Sequence, residues 1–328
     1  MPPRQAPLGS GFSSTTTARE VMEGRDLRGT LAIVTGGSAG LGLETTRALL
    51  AGGAEVVVPA RDLEKARRAL GALSGAEIHS LDLTEPASID AFAAEFLASG
   101  RPLHLLVNSA GIMANPLNRD RRGYESQFST NHLGHFQLSM RLFPALRRAG
   151  GARLVSVSSR GHKRGAVDFE DPNFERRPYD RWVAYGQSKT ANALFAVGFD
   201  ARGAAHGVRA FSVHPGGVIT NLVQYLLKDE LRAAGAIDEA GKPIIDPDGN
   251  LKTPEQGAAS ILWCATSPKL EGLGGLYCEN CDVAVAVSAD SQERLGVKPW
   301  ATDPDLAERL WPLSERLTGA VMEGGSSR

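Results

Sequence analysis

Tyr185 and Lys189 stand four residues apart in the run Trp182-Val183-Ala184-Tyr185-Gly186-Gln187-Ser188-Lys189. On a helix that spacing places them one turn apart on the same face. A phenol titrates near ~10 in water, and a fixed ammonium beside it favours phenolate and is expected to lower that value. Such a pair can pass a proton to or from a substrate oxygen near neutral pH. Tyr and Lys are common, and a helix-edge Tyr beside a solvated Lys has the same spacing. The pair therefore carries meaning only if the rest of the chain builds a site around it.

The elements that must position the pair follow a repeating pattern. Short apolar runs at Leu31–Thr35, Glu55–Ala60, Ala76–Leu81, Leu103–Asn108, Arg153–Ser158, Val208–His214 and Gly275–Cys278 are rich in β-formers. Helical stretches follow most of them, starting near Gly40, Asp62 and Pro86, then spanning Tyr124–Arg148 and Arg181–His206. Near-continuous apolar strands alternating with helices predict an α/β fold with one sheet of about seven parallel strands covered on both faces. Right-handed crossovers make it doubly wound, with ligands at the carboxyl ends of the strands. Residues 27–328 are expected to form one domain after a flexible arm over 1–26. Residues 221–252 interrupt the alternation after the sixth strand and predict a lid-like substrate-loop insertion.

Thr35-Gly36-Gly37-Ser38-Ala39-Gly40-Leu41-Gly42 joins the first strand to the first long helix. Glycines there permit a tight turn and close approach to a pyrophosphate, and the helix N-terminus supplies amide donors. The same letters contain a literal GxSxG at 36–40, the nucleophile elbow of serine hydrolases. That alternative needs an oxyanion donor from an earlier strand loop and an acid–histidine pair further on. No strand is expected before Leu31, and although His162 and His214 follow, no particular acid is singled out. At the end of the second strand an acid would bind a ribose 2′-hydroxyl, whereas Arg accommodates a 2′-phosphate. Here Ala60 occupies the acid's place and Arg61 follows, which favours NADP(H) over NAD(H). Asp62 is the expected cap of the next helix.

Composition sets the outer limits. The 328 residues are 42% hydrophobic and 22% charged with a net charge of −1, an ordinary globular balance with no global attraction for nucleic acid or anionic membrane. Basic runs at 119–122 and 160–164 read as solvated loops. The three cysteines, 264, 278 and 281, form no disulfide framework and suit a reducing, cytoplasmic setting. The CxxC at 278–281 lacks the second pair a structural zinc needs, so no metal is expected. No stretch approaches the ~20 apolar residues of a membrane span.

These motifs, in this order, resemble the short-chain dehydrogenase/reductase family. Thr35, Gly36, Gly40 and Gly42 match the family's cofactor loop, with Ser38 and Leu41 inside it. Asp82, followed by Leu83, matches the acid that meets the adenine ring. Asn108-Ser109-Ala110-Gly111 matches Asn-Asn-Ala-Gly with Ser for the second Asn. Asn131 matches a helix-borne Asn of a proton relay, Ser159 the catalytic serine, and Tyr185 with Lys189 the proton-transfer pair. Pro215, Gly216, Val218 and Thr220 match the loop that holds the nicotinamide carboxamide and phosphate. The resemblance runs from about Leu27 to Cys281 and is strongest toward the retinol dehydrogenase and WW-domain oxidoreductase branch, with protochlorophyllide reductases as further relatives.

The resemblance implies a Rossmann fold and an NADP(H)-dependent interconversion of a carbonyl and an alcohol. Tyr185 would give or take the proton, with Lys189 lowering its pKa and holding the cofactor ribose. Ser159 would bind the substrate oxygen, and Asn131 would orient a relay water. Ser158 is the alternative to Ser159; strand alternation lets only one of them face the cofactor. Reduction of a C=C bond by the same Tyr–Lys site is the nearest alternative reaction, and a non-catalytic nucleotide-binding protein is a more distant one. The substrate is expected to be small and lipophilic. Phe169, Phe174, Tyr179, Leu222, Val223, Tyr225, Leu226 and Leu227 are candidates for its pocket or for core and oligomer contacts. A homo-oligomer is compatible with the sequence.

Overall fold

The computed structural model describes residues 5–71 and 73–323. One sheet of eight strands runs through it: β1 (Leu31–Thr35), β2 (Glu55–Ala60), β3 (Ala76–Ser80), β4 (Leu105–Asn108), β5 (Ala152–Val157), β6 (Val208–His214), β7 (Leu276–Glu279) and β8 (Asp282–Val283). Their spatial order is β3-β2-β1-β4-β5-β6-β7-β8. The first seven pair in parallel; β8 returns antiparallel to β7 and is an edge the sequence did not suggest. The hairpin that creates it turns on Asn280 (φ 49°) and Cys281 (φ 58°). Two successive positive φ values are what a two-residue primed turn requires, and Asn tolerates them better than most residues. The CxxC spacing thus belongs to a hairpin. All three cysteines are free and buried.

Strand β1 shows why the apolar runs are continuous. Leu31 and Ile33 belong to one core cluster, while Ala32 and Val34 belong to the other. Alternate side chains point to opposite faces, and both faces are covered. Helices α4 (Pro86–Ala98), α6 (Gly134–Arg148), α7 (Arg181–Gly203) and α10 (Pro304–Thr318) cover the first face. Helices α2 (Gly40–Ala51) and α9 (Pro254–Thr266) cover the second, with the short α1 (Ala18–Met22) packed against both. Helix α3 (Leu63–Leu70) is capped by Asp62, whose carboxylate accepts from Lys65 N at 2.9 Å, as its sequence position suggests. The long helix expected over 124–148 begins as a single turn, α5 (Ser126–Phe128), and passes through a π turn over Ser129–Leu133 before α6.

Two segments outside the strand–helix alternation are attached to it by specific bonds. From Gln5 onward the N-terminal stretch has specific partners: the Gln5 side chain bonds the carbonyls of Tyr277 and Ala284 at 2.7 Å, and Asp282 accepts from Leu8 N and Ser10 N. It lies along the β7–β8 edge, where unpaired backbone groups need covering. The insertion after β6 contains the short helix α8 (Lys228–Ala233). Arg181, at the start of α7, pairs with Glu230 of α8, and Gly217 exchanges backbone hydrogen bonds with Asn250 and Lys252. The insertion is thereby tied down at both ends across the carboxyl edge of the sheet. Among the described residues no helix is long and apolar enough to cross a membrane.

Candidate active site

The strand order reverses between β1 and β4, and the carboxyl ends of β1, β4, β5 and β6 open onto one cavity of about 490 Å³. This is where open α/β sheets bind ligands. Gly40, Leu41 and Gly42 form one end of its wall, Ser159, Tyr185 and Lys189 another part, and Pro215, Gly216, Val218 and Thr220 a third. Positions as far apart in sequence as Gly40 and Thr220 are thus brought to one surface.

The glycine loop is built to approach a phosphate. A Cβ on Gly42 would collide with the Gly36 carbonyl, so the first turn of α2 closes tightly on the loop. Helix α2 starts at Ala39 with no side-chain cap and no acid in its first turn. Its terminal N–H groups and partial positive charge therefore face the cavity without a protein acceptor. Ser38 is half-buried, and among the described residues its hydroxyl bonds no histidine, as a hydrolase nucleophile would. The uncapped helix end, the glycine loop beside it and a wall without carboxylates fit a dinucleotide.

Several residues expected to touch a cofactor also hold the loops. Thr35 is buried; its Oγ1 accepts from Ser109 N at 2.9 Å and Ala110 N at 3.1 Å, clamping the end of β1 to the turn after β4. Asn108 is buried and donates to Ser139 Oγ at 3.1 Å. Asp82 accepts from the backbone and hydroxyl of Thr84, and the buried Leu83 packs against Gly134. Ser109, in place of the resembled Asn, lines the cavity together with Gly111. Arg61 is exposed just past the end of β2.

Ser158 and Ser159 both border the cavity and differ in where their hydroxyls bond. The Ser158 hydroxyl donates to the Lys189 carbonyl at 2.7 Å, so its hydrogen is spent on α7. Ser159 Oγ accepts from Gly161 N at 3.0 Å and acts on the Tyr185 phenol. A Cβ on Gly161 would press against the Tyr185 ring, so the turn after Ser159 lies directly against the phenol ring.

Tyr185 and Lys189 are both buried. Burial pushes the phenol up to about 12, opposed by Ser159, and pulls the Lys189 ammonium down to about 8. Burial here acts against the expected depression of the phenol by its lysine neighbour. The cause is geometric: Lys189 Nζ donates to the Val157 carbonyl at 3.0 Å and lies 5.7 Å from the centre of the Tyr185 ring. Desolvation then outweighs the attraction between the two groups.

Asn131 sits in the π turn. Its side-chain oxygen accepts from Ile112 N at 2.9 Å, and its amide donates to Ile112 O at 2.9 Å and Ser188 Oγ at 3.0 Å. It pins the Gly111–Ile112 strip beside α7; a Cβ on Gly111 would lie 3.0 Å from its oxygen and 3.7 Å from Lys189 Nζ.

Histidines organise the surroundings. His132 bonds Ser314 and His135 bonds Thr35 and the Asn131 carbonyl, as packing rather than catalytic groups. His162 is buried behind Ser159, bonding the Ser159 carbonyl at 2.7 Å and Lys298 N at 3.2 Å. It supports the serine and does not face substrate. His214 Nδ1 accepts from Arg160 N at 3.2 Å, so its neutral ring carries the proton on Nε2. The Asn250 amide, 3.0 Å from Nε2 and with its oxygen otherwise unpartnered, must then present that oxygen to His214. His214 thus joins the turn after Ser159 to the insertion.

Phe169, Phe174 and Tyr179, between Ser159 and Tyr185, do not line the cavity. Phe174 packs on Tyr179, and Phe169 lies under Arg309. Tyr225 and Leu227 are exposed. The apolar wall consists of Leu222, Val223, Leu226, Leu231, Met113 and Trp182. Leu231, Met113 and Trp182 carry no motif that sequence reasoning could have used.

Comparison with known proteins agrees with this geometry. The family model for short chain dehydrogenases matches residues 30–231. A Streptomyces antibioticus protein named "Probable oxidoreductase" is 45% identical over 293 residues, covering 87% of this chain and 96% of its own. The WW domain-containing oxidoreductase of Gallus gallus is 34% identical, covering 96% of this chain and 74% of its own. A crystal structure of an uncharacterised protein from Mycobacterium Paratuberculosis superposes with a TM-score of 0.71 at 30% identity, over 94% of this chain and 99% of that one. With its doubly wound sheet and these matches, the chain belongs to the short-chain dehydrogenase/reductase family of oxidoreductases.

Proposed function

We propose that this protein is an NADP(H)-dependent oxidoreductase that interconverts an aldehyde or ketone and its alcohol. The observation that carries the reading is the meeting of Ser159, Tyr185 and Lys189 on the cavity whose other end is the uncapped N-terminus of α2. The bound nicotinamide supplies or accepts the hydride. Gly40–Gly42 and Thr220 would hold its phosphates, Pro215–Val218 its carboxamide, and Lys189 its ribose. Arg61 would meet the 2′-phosphate, since Asp62 is taken up by capping α3.

In reduction, the Tyr185 hydroxyl gives its proton to the substrate oxygen; in oxidation it takes the proton back. A phenol near 12 is fully protonated at neutral pH, which suits the donor role. Ser159 Oγ donates a hydrogen bond to the same oxygen and stabilises the charge that gathers there. Lys189, drawn toward 8, is close enough to neutral pH to return a proton toward Tyr185. Asn131 acts as a positioning residue by keeping the Gly111–Ile112 strip beside Lys189.

A panel of aldehydes, ketones, secondary alcohols and activated alkenes, followed by NADPH absorbance and product analysis, tests the reaction class. Alcohol as the product from carbonyl substrates is the expected result. Turnover confined to C=C bonds would replace this reading.

A further inference from the structure

We propose that the substrate of this site carries an oxyanionic group on an apolar body, and that Arg160, Arg164 and Arg294 recognise it. The inference rests on the reading above for the location of the reacting end, and it supplies the substrate class that reading leaves open.

All three arginines line the cavity that contains Ser159 and Tyr185, and among its described lining residues there is no Asp or Glu. The nearby ion pairs are made by other arginines: Arg177 with Asp168 and Asp171, and Arg181 with Glu230. Besides burial, the charges that act on Arg160 are those of Arg294 and Arg164, all repulsive. An oxyanion among them would offset that repulsion and meet planar donors suited to it.

The backbone that carries the cluster is held in place. Arg160 and Arg164 bracket the turn that follows Ser159, and Arg160 N bonds His214. Lys163, between them, donates to the carbonyls of Glu293 and Leu295, which flank Arg294. A segment 130 residues away is thus tethered to the serine turn, bringing the third guanidinium to the cavity. The basic run at 160–164, expected as a solvated loop, therefore contributes two of its cations to the site.

Position argues for substrate over cofactor. Arg164 lies over the Trp182 ring at 5.1 Å, and Trp182 stands edge-on to Tyr185 at 6.5 Å. The cations are therefore grouped beside the proton-transfer residues. The cofactor's own phosphates have the α2 N-terminus and Arg61. Leu222, Val223 and Leu226 give the same cavity an apolar wall, so the fitting molecule is amphipathic.

Calorimetric titration of the NADPH-loaded full-length protein with decanoate, decyl phosphate and decanamide tests this without requiring turnover. The expected result is at least tenfold tighter binding of one or both anions than of the amide, weakened by salt. In Arg160→Gln/Arg294→Gln the anion-to-amide ratio should fall toward one while NADPH affinity stays within twofold. The two anionic arms decide between carboxylate and phosphate. Equal affinities for anions and amide in the wild type, no measurable anion binding, or a double variant that loses NADPH affinity while keeping the ratio would each overturn the proposal. Anion preference together with failure to reduce 10-oxodecanoate or any other carbonyl would instead sink the proposed reaction and leave the anion site standing.

Discussion

Thr35 Oγ1 and His135 Nε2 lie 2.9 Å apart, and the surrounding bonds fix the proton between them. His135 Nδ1 faces the Asn131 carbonyl at 2.9 Å, so it must donate, which leaves Nε2 as an acceptor. Thr35 then donates to His135 and accepts from Ser109 N and Ala110 N. One hydroxyl joins the end of β1, the turn after β4 and the π turn that bears Asn131.

Replacing that hydroxyl with a methyl should therefore cost more than its size suggests. Thr35→Val keeps the volume but strands two backbone donors and one ring nitrogen in a poorly solvated place. A loss of about 1–3 kcal/mol is expected, read as a lower urea midpoint with an unchanged slope. A change within about 0.5 kcal/mol would mean that the clamp is not structural.

Acid should weaken the protein before its carboxylates titrate. Burial holds His132 at about 3 and His135 and His162 at about 4, and holds His214 well below 6.5. In the unfolded chain each binds a proton near ~6.5. Between about 6.5 and 4 the unfolded state thus holds more protons, so stability rises with pH and is lost as pH falls. Each histidine adds up to about 1.4 kcal/mol per pH unit within that window. Glu125 and Glu279, raised by burial, oppose this slope in part above the normal carboxylate range. Urea midpoints at pH 7.5, 6 and 5 should decline in order; a flat or rising series would contradict the neutral histidine assignments.

The proposed preference for NADP(H) rests on Arg61. Arg61→Ala should weaken NADPH binding by at least tenfold and NADH binding by less than about twofold, since a guanidinium–phosphate contact is a charge-assisted bond of about 1.5–3 kcal/mol. Fluorescence titration with both nucleotides measures it. Equal losses would remove the argument for NADP(H).

The sheet was legible because its signals are local. The runs that form β1, β4 and β6 are buried on both faces, and only the edge strand β3 is partly exposed along its length, so most of them need no partner to be recognised. The same holds for the Asp62 cap and the glycine loop, where chain geometry dictates residue type. What escaped the sequence depends on contacts between distant segments. Arg294 reaches the cavity only because Lys163 holds its neighbours, and Asn250 matters only because His214 needs an acceptor. The burial of Tyr185 was hidden for a related reason: spacing shows that a cation is near, while the burial that opposes it comes from the whole fold. The β7–β8 hairpin is short, and its turn residues, Asn280-Cys281, lack the glycine that usually marks such a turn.

The proton-transfer role proposed for Tyr185 is tested by Tyr185→Phe with the smallest change available. The variant keeps the ring that packs against Gly161 and Trp182 and removes only the hydroxyl. Single-turnover reduction of a carbonyl substrate identified from the panel, with NADPH in excess, should slow by about 10²–10⁴-fold, while the Kd for NADPH stays within twofold of wild type. A single-turnover rate within threefold of wild type at saturating substrate would contradict the account.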